Sequence, residues 1–599
     1  MPKPLNPVTG RELHDVTRWV LLSALVGVVA GLGAILFNVA LDEVTELALG
    51  DVMNHHPPVP RGEQKAGAEA AIGDPGSLRV WAVLLLPTLG GLLAGAIIFR
   101  YAPEAEGHGT DAMVKAFHRL KGDIRRRVPL LKSVASIITI GSGGSAGREG
   151  PIAQIGAGFG SFLGGLLKLS PRERRLLMLA GAAGGIGAIF RAPLGASLFA
   201  CEVLYRDAEL EAEGLIPSII ASIVSYSIFT SIFGTGFLFE TPHLVFRHPY
   251  ELPFYLLLGL LCAGFGWLYV RVFYGVHHLF GKLSVVRVIK PAIGGLLLGL
   301  LALEFPQMLS GGYGYIQEAI DGNIMVTMML LFATLKILAT SLTISSGGSG
   351  GVFGPSLFIG AMLGGAVGFW ADSQFPELVD DPAAFVLVGM GGFFAGVAKV
   401  PIASLIMVSE MTGSYGLLVP LMLVSVIAFL FSRKWTLYIE QVPGRIDSPA
   451  HLGDFVIDIL EEMTVADILD PDRPIETIPE NLPLKRIIPI VAQAEGRYFP
   501  VVDAEGRMTG IFSLTDVRRV FHEDAITDLL IAKEIATEDV LTVTPDDDLS
   551  VALRKFTLKD INDLPVVDHE DSGKILGMIN RKDLFKAYDA KLRQARYES

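Results

Sequence analysis

Five stretches of this chain carry no charged residue over a length that suits a bilayer crossing, which takes about 20 residues. They are Trp19–Leu41, Val80–Phe99, Gly214–Phe239, Leu252–Val270 and Met411–Ser432, and each predicts a transmembrane helix. No small-residue cleavage pattern follows the first, so it reads as a span and not as a cleaved signal. Behind it, Asp42 and Glu43 open a polar segment running through His55 and His56 to Arg79, which predicts an external loop. Residues 141–160, 181–200, 337–371 and 385–409 are apolar as well, yet Gly and Pro interrupt them. A helix broken in hydrocarbon leaves backbone N–H and C=O groups unsatisfied, so such segments belong inside protein or along a polar cavity. Broken helices point to a transport site. Close glycine packing between helices is the plainer alternative.

Two of the interruptions are copies of each other. Residues 143–160 read GGSAGREGPIAQIGAGFG and residues 347–364 read GGSGGVFGPSLFIGAMLG, with ten of eighteen positions identical at an offset of 204. A second echo runs at an offset of 208 and pairs Gly181 with Gly389, Pro193 with Pro401, and Glu202 with Glu410. Duplicated halves of this kind are a transporter signature. In both copies a proline falls in what would be a first helical turn, where its missing N–H costs nothing. Two half-helix N-termini then lie within the membrane. Each offers unpaired N–H donors and about half a positive charge, so together they make an anion site without a buried lysine. Both copies also fit G-x-S-x-G, at Ser145 and Ser349, the nucleophile elbow of a hydrolase. An elbow needs a strand before it and His and acid partners after it, and a catalytic serine is not expected twice; no enzymatic activity is expected.

Charge divides the chain. Residues 451–599 hold 30 Asp+Glu and 18 Lys+Arg, a net of −12, while the first 450 hold 32 and 31, a net of −1. An acidic, water-loving tail thus follows a nearly neutral membrane part, which excludes a purely soluble protein and a basic nucleic-acid binder. Two cysteines, Cys201 and Cys262, exclude a disulfide framework. Arg125, Arg126, Arg127 and Arg172, Arg174, Arg175 lie between apolar segments and should face the cytoplasm. Both termini are expected there, with the protein in the cell membrane. Residues 442–460 carry Pro443, Gly444, Pro449 and Gly453, a linker composition. In the tail, Phe499–Asp503 is echoed by Leu564–Asp568, and Gly510–Asp516 by Gly577–Asp583 at an offset of 67. Each copy predicts a strand, a turn, a second strand and a helix opening at an Asp.

Gly147-Arg148-Glu149-Gly150-Pro151 and Gly351-Val352-Phe353-Gly354-Pro355 resemble the G-K/R-E-G-P and G-x-F-x-P motifs of the CLC chloride channels and chloride/proton exchangers. The tail resembles a pair of CBS domains, and the likeness runs from about residue 17 to residue 590. The fold it implies is a polytopic α-helical inverted repeat with broken helices, about eighteen in number, followed by an α/β CBS pair. Its parts are a cytosolic segment 1–16, a membrane domain 17–441 with halves at about 17–240 and 250–441, the linker 442–460, and CBS domains at 461–528 and 529–592. The family further implies a homodimer with one pore per subunit.

The resemblance makes Glu149 the gating glutamate. A carboxylate on a half-helix N-terminus occupies the seat an anion wants, and protonation vacates it. Gly147, Arg148, Gly150, Val352 and Phe353 would surround the anion, with Tyr438 offering its hydroxyl. Two departures stand out. His108, in Gly107-His108-Gly109, takes the place of a chloride-binding serine, where a neutral imidazole donates one N–H and a protonated one adds charge. Val203, directly after Glu202, takes the place of a glutamate on the internal proton route and cannot carry a proton. Glu202 and Glu410 are expected in pairing or helix-end hydrogen bonds. Val203 favours channel-like or weakly proton-coupled chloride transport, with chloride/proton exchange as the alternative and a CBS-regulated cation transporter as a remote one. Hard cations want several oxygen ligands, which the broken helices do not supply. Ser513, Asp516 and Asp583 match the CBS pattern for ATP, ADP or AMP, with Asn580 replacing a hydroxyl; as caps they would serve equally. No cofactor is required.

Overall fold

Among the described residues the two halves of the membrane region each comprise eight α-helices. The computed structural model describes residues 10–64, 78–451, 460–494, 496–520 and 529–598. The first nine residues, 452–459 of the linker and 521–528 at the end of the first CBS domain lie outside the described residues. Two units divide at Ala450/His451. In the first unit the leading half comprises α1 (Gly10–Thr45), α2 (Val80–Tyr101), α3 (Thr110–Arg119), α4 (Val128–Gly141), α5 (Glu149–Leu166), α6 (Pro171–Phe190), α7 (Pro193–Glu202) and α8 (Ala212–Phe233). The following half comprises α9 (Leu252–Lys282), α10 (Lys290–Ala302), α11 (Tyr313–Ile320), α12 (Val326–Ile344), α13 (Phe353–Gln374), α14 (Pro382–Ala398), α15 (Pro401–Thr412) and α16 (Leu418–Phe431).

Six of these segments are long and apolar enough to span a bilayer, and many large apolar side chains, Leu36, Leu93 and Ile216 among them, point outward. This is a multi-pass membrane protein. Small residues set the spacing inside it. A Cβ on Gly156 would come within 1.9 Å of the Gly181 carbonyl, and one on Gly360 within 2.3 Å of the Gly389 carbonyl. The crossing of α5 with α6 is thus repeated by α13 with α14, at a distance only glycine permits.

Two of the expected spans are shorter than their apolar runs. Met411–Ser432 is not one helix, because Gly413 at φ +67° ends α15 and α16 restarts at Leu418. The run Gly214–Phe239 stops at Phe233, where Gly234 takes φ +84°. Apolar composition alone cannot reveal either stop, since left-handed glycine ends a helix without changing hydropathy.

The two halves hold each other through helix ends. Glu202 accepts from the amides of Ile402 (3.0 Å) and Ala403 (2.7 Å) at the start of α15. Reciprocally, Glu410 accepts from Leu194 (3.2 Å) and Gly195 (2.7 Å) at the start of α7. Each half therefore caps a helix of the other, as expected for these two residues. Glu202→Ala and Glu410→Ala should each lower stability by about 1–2 kcal/mol, the worth of a cap. A thermal midpoint in detergent that does not move would refute this.

The tail forms its own cores. In it β1 (Ile478–Pro479) pairs in parallel with β2 (Tyr498–Val502), which pairs antiparallel with β3 (Met508–Ser513). The second copy has β4 (Asp563–Val567) antiparallel to β5 (Ile575–Asn580). Val501 opposes Gly510 and Val566 opposes Gly577, each followed by a bulge, so the sequence echo is an echo of register. Helices α17 (Leu484–Gln493), α18 (Leu514–Val520), α19 (Ala532–Ile535), α20 (Leu549–Leu558) and α21 (Arg581–Glu598) complete the unit.

Candidate anion site

The site is built where the two glycine-rich breaks meet. Gly143 (φ +104°) and Gly347 (φ +107°) turn the chain back after α4 and α12, a conformation L side chains avoid. The breaks then run antiparallel, with the Gly147 amide donating to the Gly351 carbonyl (2.8 Å) and the Gly351 amide to the Gly147 carbonyl (2.6 Å). Ser145 bonds the Thr340 hydroxyl, and Ser349 bonds the Ser136 hydroxyl and the Ala105 carbonyl. None of these partners is a base that could activate a serine. From this paired turn α5 and α13 start side by side.

Glu149 opens α5 and is buried, but its carboxylate does not cap its own helix alone. Oε1 accepts from the amide of Phe353, the first residue of α13, at 2.6 Å, and Oε2 accepts from the Tyr313 hydroxyl at 3.2 Å. A Cβ on Gly147 or Gly351 would come within 2.1 or 2.0 Å of the carboxylate oxygens, so the seat is walled by glycine backbone. An acidic group thus rests on the N-terminal amide of a helix from the opposite half. Such an amide offers a donor and a partial positive charge to any anion.

The other expected site residues divide. Phe353 and Val352 are buried at the α13 start, as the motif requires. Gly150 lies against His108, whose carbonyl a Cβ on Gly150 would meet at 1.9 Å. Tyr438 is buried, its ring 5.2 Å from that of His108. His108 is buried too, with Nε2 3.3 Å from Asp111 Oδ2, while Nδ1 has no protein partner among the described residues. Two assignments need correcting. The Gly147 amide is spent on Gly351, so it is not free for an anion. The Arg148 guanidinium bonds Asn38 at 3.1 Å and Glu63, and lies over the rings of Tyr313 and Phe190, so its charge is held in an ion pair.

The sequence profile of the family described as voltage gated chloride channel matches residues 90–433, more than half of the chain. The chain belongs to the CLC family. Residues 465–523 and 532–590 match the CBS domain. A putative chloride channel protein, ClcB-like, from Ralstonia nicotianae is 32% identical over 58% of this chain and 82% of that one. The H(+)/Cl(-) exchange transporter ClcA of Klebsiella pneumoniae is 31% identical over 69% of this chain and 85% of that one. Among solved structures, a slow cyanobacterial Cl-/H+ antiporter aligns with a TM-score of 0.60 and 21% identity over 69% of this chain and 94% of that one. A eukaryotic CLC transporter aligns at 0.57 and 21% identity, over 95% of this chain and 98% of that one. At that identity both speak for the fold.

Several residues around the CLC site are not evident from its motifs. Lys132, buried in α4, donates to the carbonyls of Ala105 (3.1 Å) and Gly107 (2.6 Å). Lys336, its counterpart in α12 at the same offset of 204, donates to Met308 (3.3 Å) and Ser310 (2.9 Å). A lone lysine in each apolar helix was the available signal. Tyr313, Asn38 and Glu63 carry no such mark, since only the fold brings them to Glu149 and Arg148. Val203 is fully buried, its carbonyl 3.0 Å from the Gln441 amide nitrogen. In the CBS pair, Asp516 accepts from the Ser513 amide (2.8 Å) and hydroxyl (2.7 Å), and Asp583 pairs with Arg473 at 3.3 Å. Asn580 donates to Asp563 at 2.8 Å.

Proposed function

We propose that this CLC protein exchanges chloride for protons across the cell membrane, as a homodimer with one pathway per subunit and both termini in the cytoplasm. One observation carries the reading: the Glu149 carboxylate occupies the Phe353 amide at the α13 N-terminus. An ionised carboxylate there keeps a chloride out, and a protonated one releases the seat. The anion is then held by the amides of Val352, Phe353 and Gly150, with Tyr438 and His108 beside them. The same glutamate handles both ions, which is the minimum an exchanger needs. Val203 argued for channel-like transport, but the relatives named as exchangers, such as that of Klebsiella pneumoniae, weigh more than one missing acid. The test is chloride efflux from proteoliposomes with simultaneous recording of external pH. Protons driven uphill by a chloride gradient are expected; chloride movement without protons would restore the channel-like reading.

The tail is proposed to bind an adenine nucleotide, its ribose on Asp516 and Asp583 and its phosphate on the Ser513 hydroxyl. Ser513 and Asp516 lie together at the start of α18, where one nucleotide would meet both by displacing the hydrogen bond between them. ATP, ADP or AMP should raise the thermal midpoint of the full chain, and Asp516→Ala should abolish the shift. Failure of all three nucleotides would leave these residues as helix caps.

A further inference from the structure

An exchanger must bring protons to Glu149 from the inner side, and Val203 offers none. We infer that His108, oriented by Asp111, is the group that passes protons between the cytoplasmic side and Glu149. This rests on the exchange reading above. His108 stands at the point where α3 begins, and its carbonyl packs on Gly150, the residue after Glu149. Its ring is buried among Tyr438 and Phe273, at 5.2 and 6.3 Å between centroids. One nitrogen is engaged by Asp111, and the other has no protein partner among the described residues. A buried imidazole in this state can take up and release a proton at its free nitrogen while the carboxylate offsets the charge.

Polar groups continue from Asp111 to the surface; they hold the imidazole and mark the side from which water approaches, and they do not carry the proton. Asp111 Oδ1 accepts from the Glu440 amide at 3.2 Å, and the Glu440 carboxylate pairs with Lys115 (3.3 Å) and Arg119 (2.8 Å). Side-chain exposure rises along this series from 7% at His108 through 19% at Asp111 and 17% at Glu440 to 50% at Lys115 and 54% at Arg119. The far end lies on α3, which leads into the basic run Arg125–Arg127, cytoplasmic by the positive-inside rule.

The groups facing this imidazole are few. Asp111 lies on α3, which His108 precedes; Tyr438 and Glu440 come from the segment after α16, and Tyr274 from α9. Lys132 on α4 holds the Gly107 carbonyl and interacts with Glu106, while Glu149 faces Tyr438 from α5. The step is a plain proton transfer. Nδ1 takes a proton from a hydronium ion entering from the cytoplasmic side, releasing water and giving the imidazolium, and yields it to the Glu149 carboxylate once that leaves the Phe353 amide. The products are a neutral imidazole and a carboxylic acid; Asp111 stays ionised throughout as a positioning residue.

The experiment reads the ratio of protons to chloride moved by the full chain in proteoliposomes. In His108→Gln the ratio should fall about 100-fold, the scale of a lost proton-transfer group. Asp111→Asn keeps the acceptor for Glu440, and should lower the ratio about tenfold and shift the pH dependence of proton movement, which a merely structural role would leave in place. Val203→Glu added to His108→Gln should recover proton movement. If His108→Gln still couples at the wild-type ratio, the inference is overturned. If His108→Gln is inactive altogether, Asp111→Asn decides, and an unaltered ratio and pH profile there overturn it. A wild-type protein that moves chloride without protons would remove the exchange reading itself, and the relay with it.

Discussion

Glu149→Gln should leave chloride moving at every pH and bring proton movement below detection. In the wild type the ionised carboxylate holds the Phe353 amide at 2.6 Å, a charge-assisted hydrogen bond on the scale of about 1.5–3 kcal/mol. Chloride has to displace it. Lowering the external pH protonates the carboxylate, weakens that bond and vacates the seat, so wild-type chloride flux should rise as pH falls. Glutamine has the shape of the protonated acid but nothing to titrate, so its flux should be flat across the same range. It also cannot take a proton from His108, so coupling should drop by about 100-fold or more. Tyr313→Phe would remove only the weaker 3.2 Å contact and should shift the pH response without abolishing it. Efflux measured over a series of external pH values checks all three statements. A glutamine variant that keeps the wild-type pH response would end the gating assignment.

The repeat, the broken helices and the identity of Glu149 were legible in the residues because each has a local mark. Gly and Pro interrupt hydropathy, and two eighteen-residue segments identical at ten positions declare a duplication. Glu149 was legible as an acid at a helix start. What it touches was not. Phe353 lies 204 residues away, and only the antiparallel pairing of Gly147 with Gly351 brings its amide to the carboxylate. The same pairing removes Gly147 from the anion site, because an amide that completes a backbone bridge has no second hydrogen to give. Arg148 failed for a different reason. A guanidinium next to an anion seat reads as an anion ligand, but Glu63 in the loop after α1 claims it first. A loop that returns to cover a site leaves no periodic signal. Span ends at Phe233 and Thr412 were hidden for a third reason, since Gly234 and Gly413 are as apolar as their neighbours and act only through φ.

Lys336→Met should destabilise the membrane unit by up to about 6 kcal/mol, the cost of two stranded carbonyls before the relief of desolvation, and Lys132→Met by less. Two effects compete here. Burying an ammonium is costly, so replacing it with an apolar side chain of similar length stabilises a core when nothing else depends on the charge. In this fold something does depend on it. Lys132 is the donor to Ala105 and Gly107, and Lys336 to Met308 and Ser310, in the turns that lead into α3 and α11. The Met308 and Ser310 carbonyls would lose this donor, whereas Ala105 keeps the Ser349 hydroxyl and Gly107 keeps the Gly350 amide. Stranding a carbonyl costs about 1–3 kcal/mol, so the two released in Lys336→Met outweigh the relief of desolvation, while in Lys132→Met the remaining donors reduce the loss. The Lys336 ammonium also lies 5.1 Å from the Phe358 ring centre, a contact methionine keeps only in part. The two variants should then differ in function. The turn held by Lys132 carries His108, so in Lys132→Met the ratio of protons to chloride should suffer. The turn held by Lys336 leads to Tyr313, so in Lys336→Met the release of Glu149, and with it the pH dependence of chloride flux, should change. Thermal midpoints in detergent test the first claim, and a midpoint that rises in either variant would mean that the desolvation cost of the ammonium dominates. Paired chloride and pH recordings test the second.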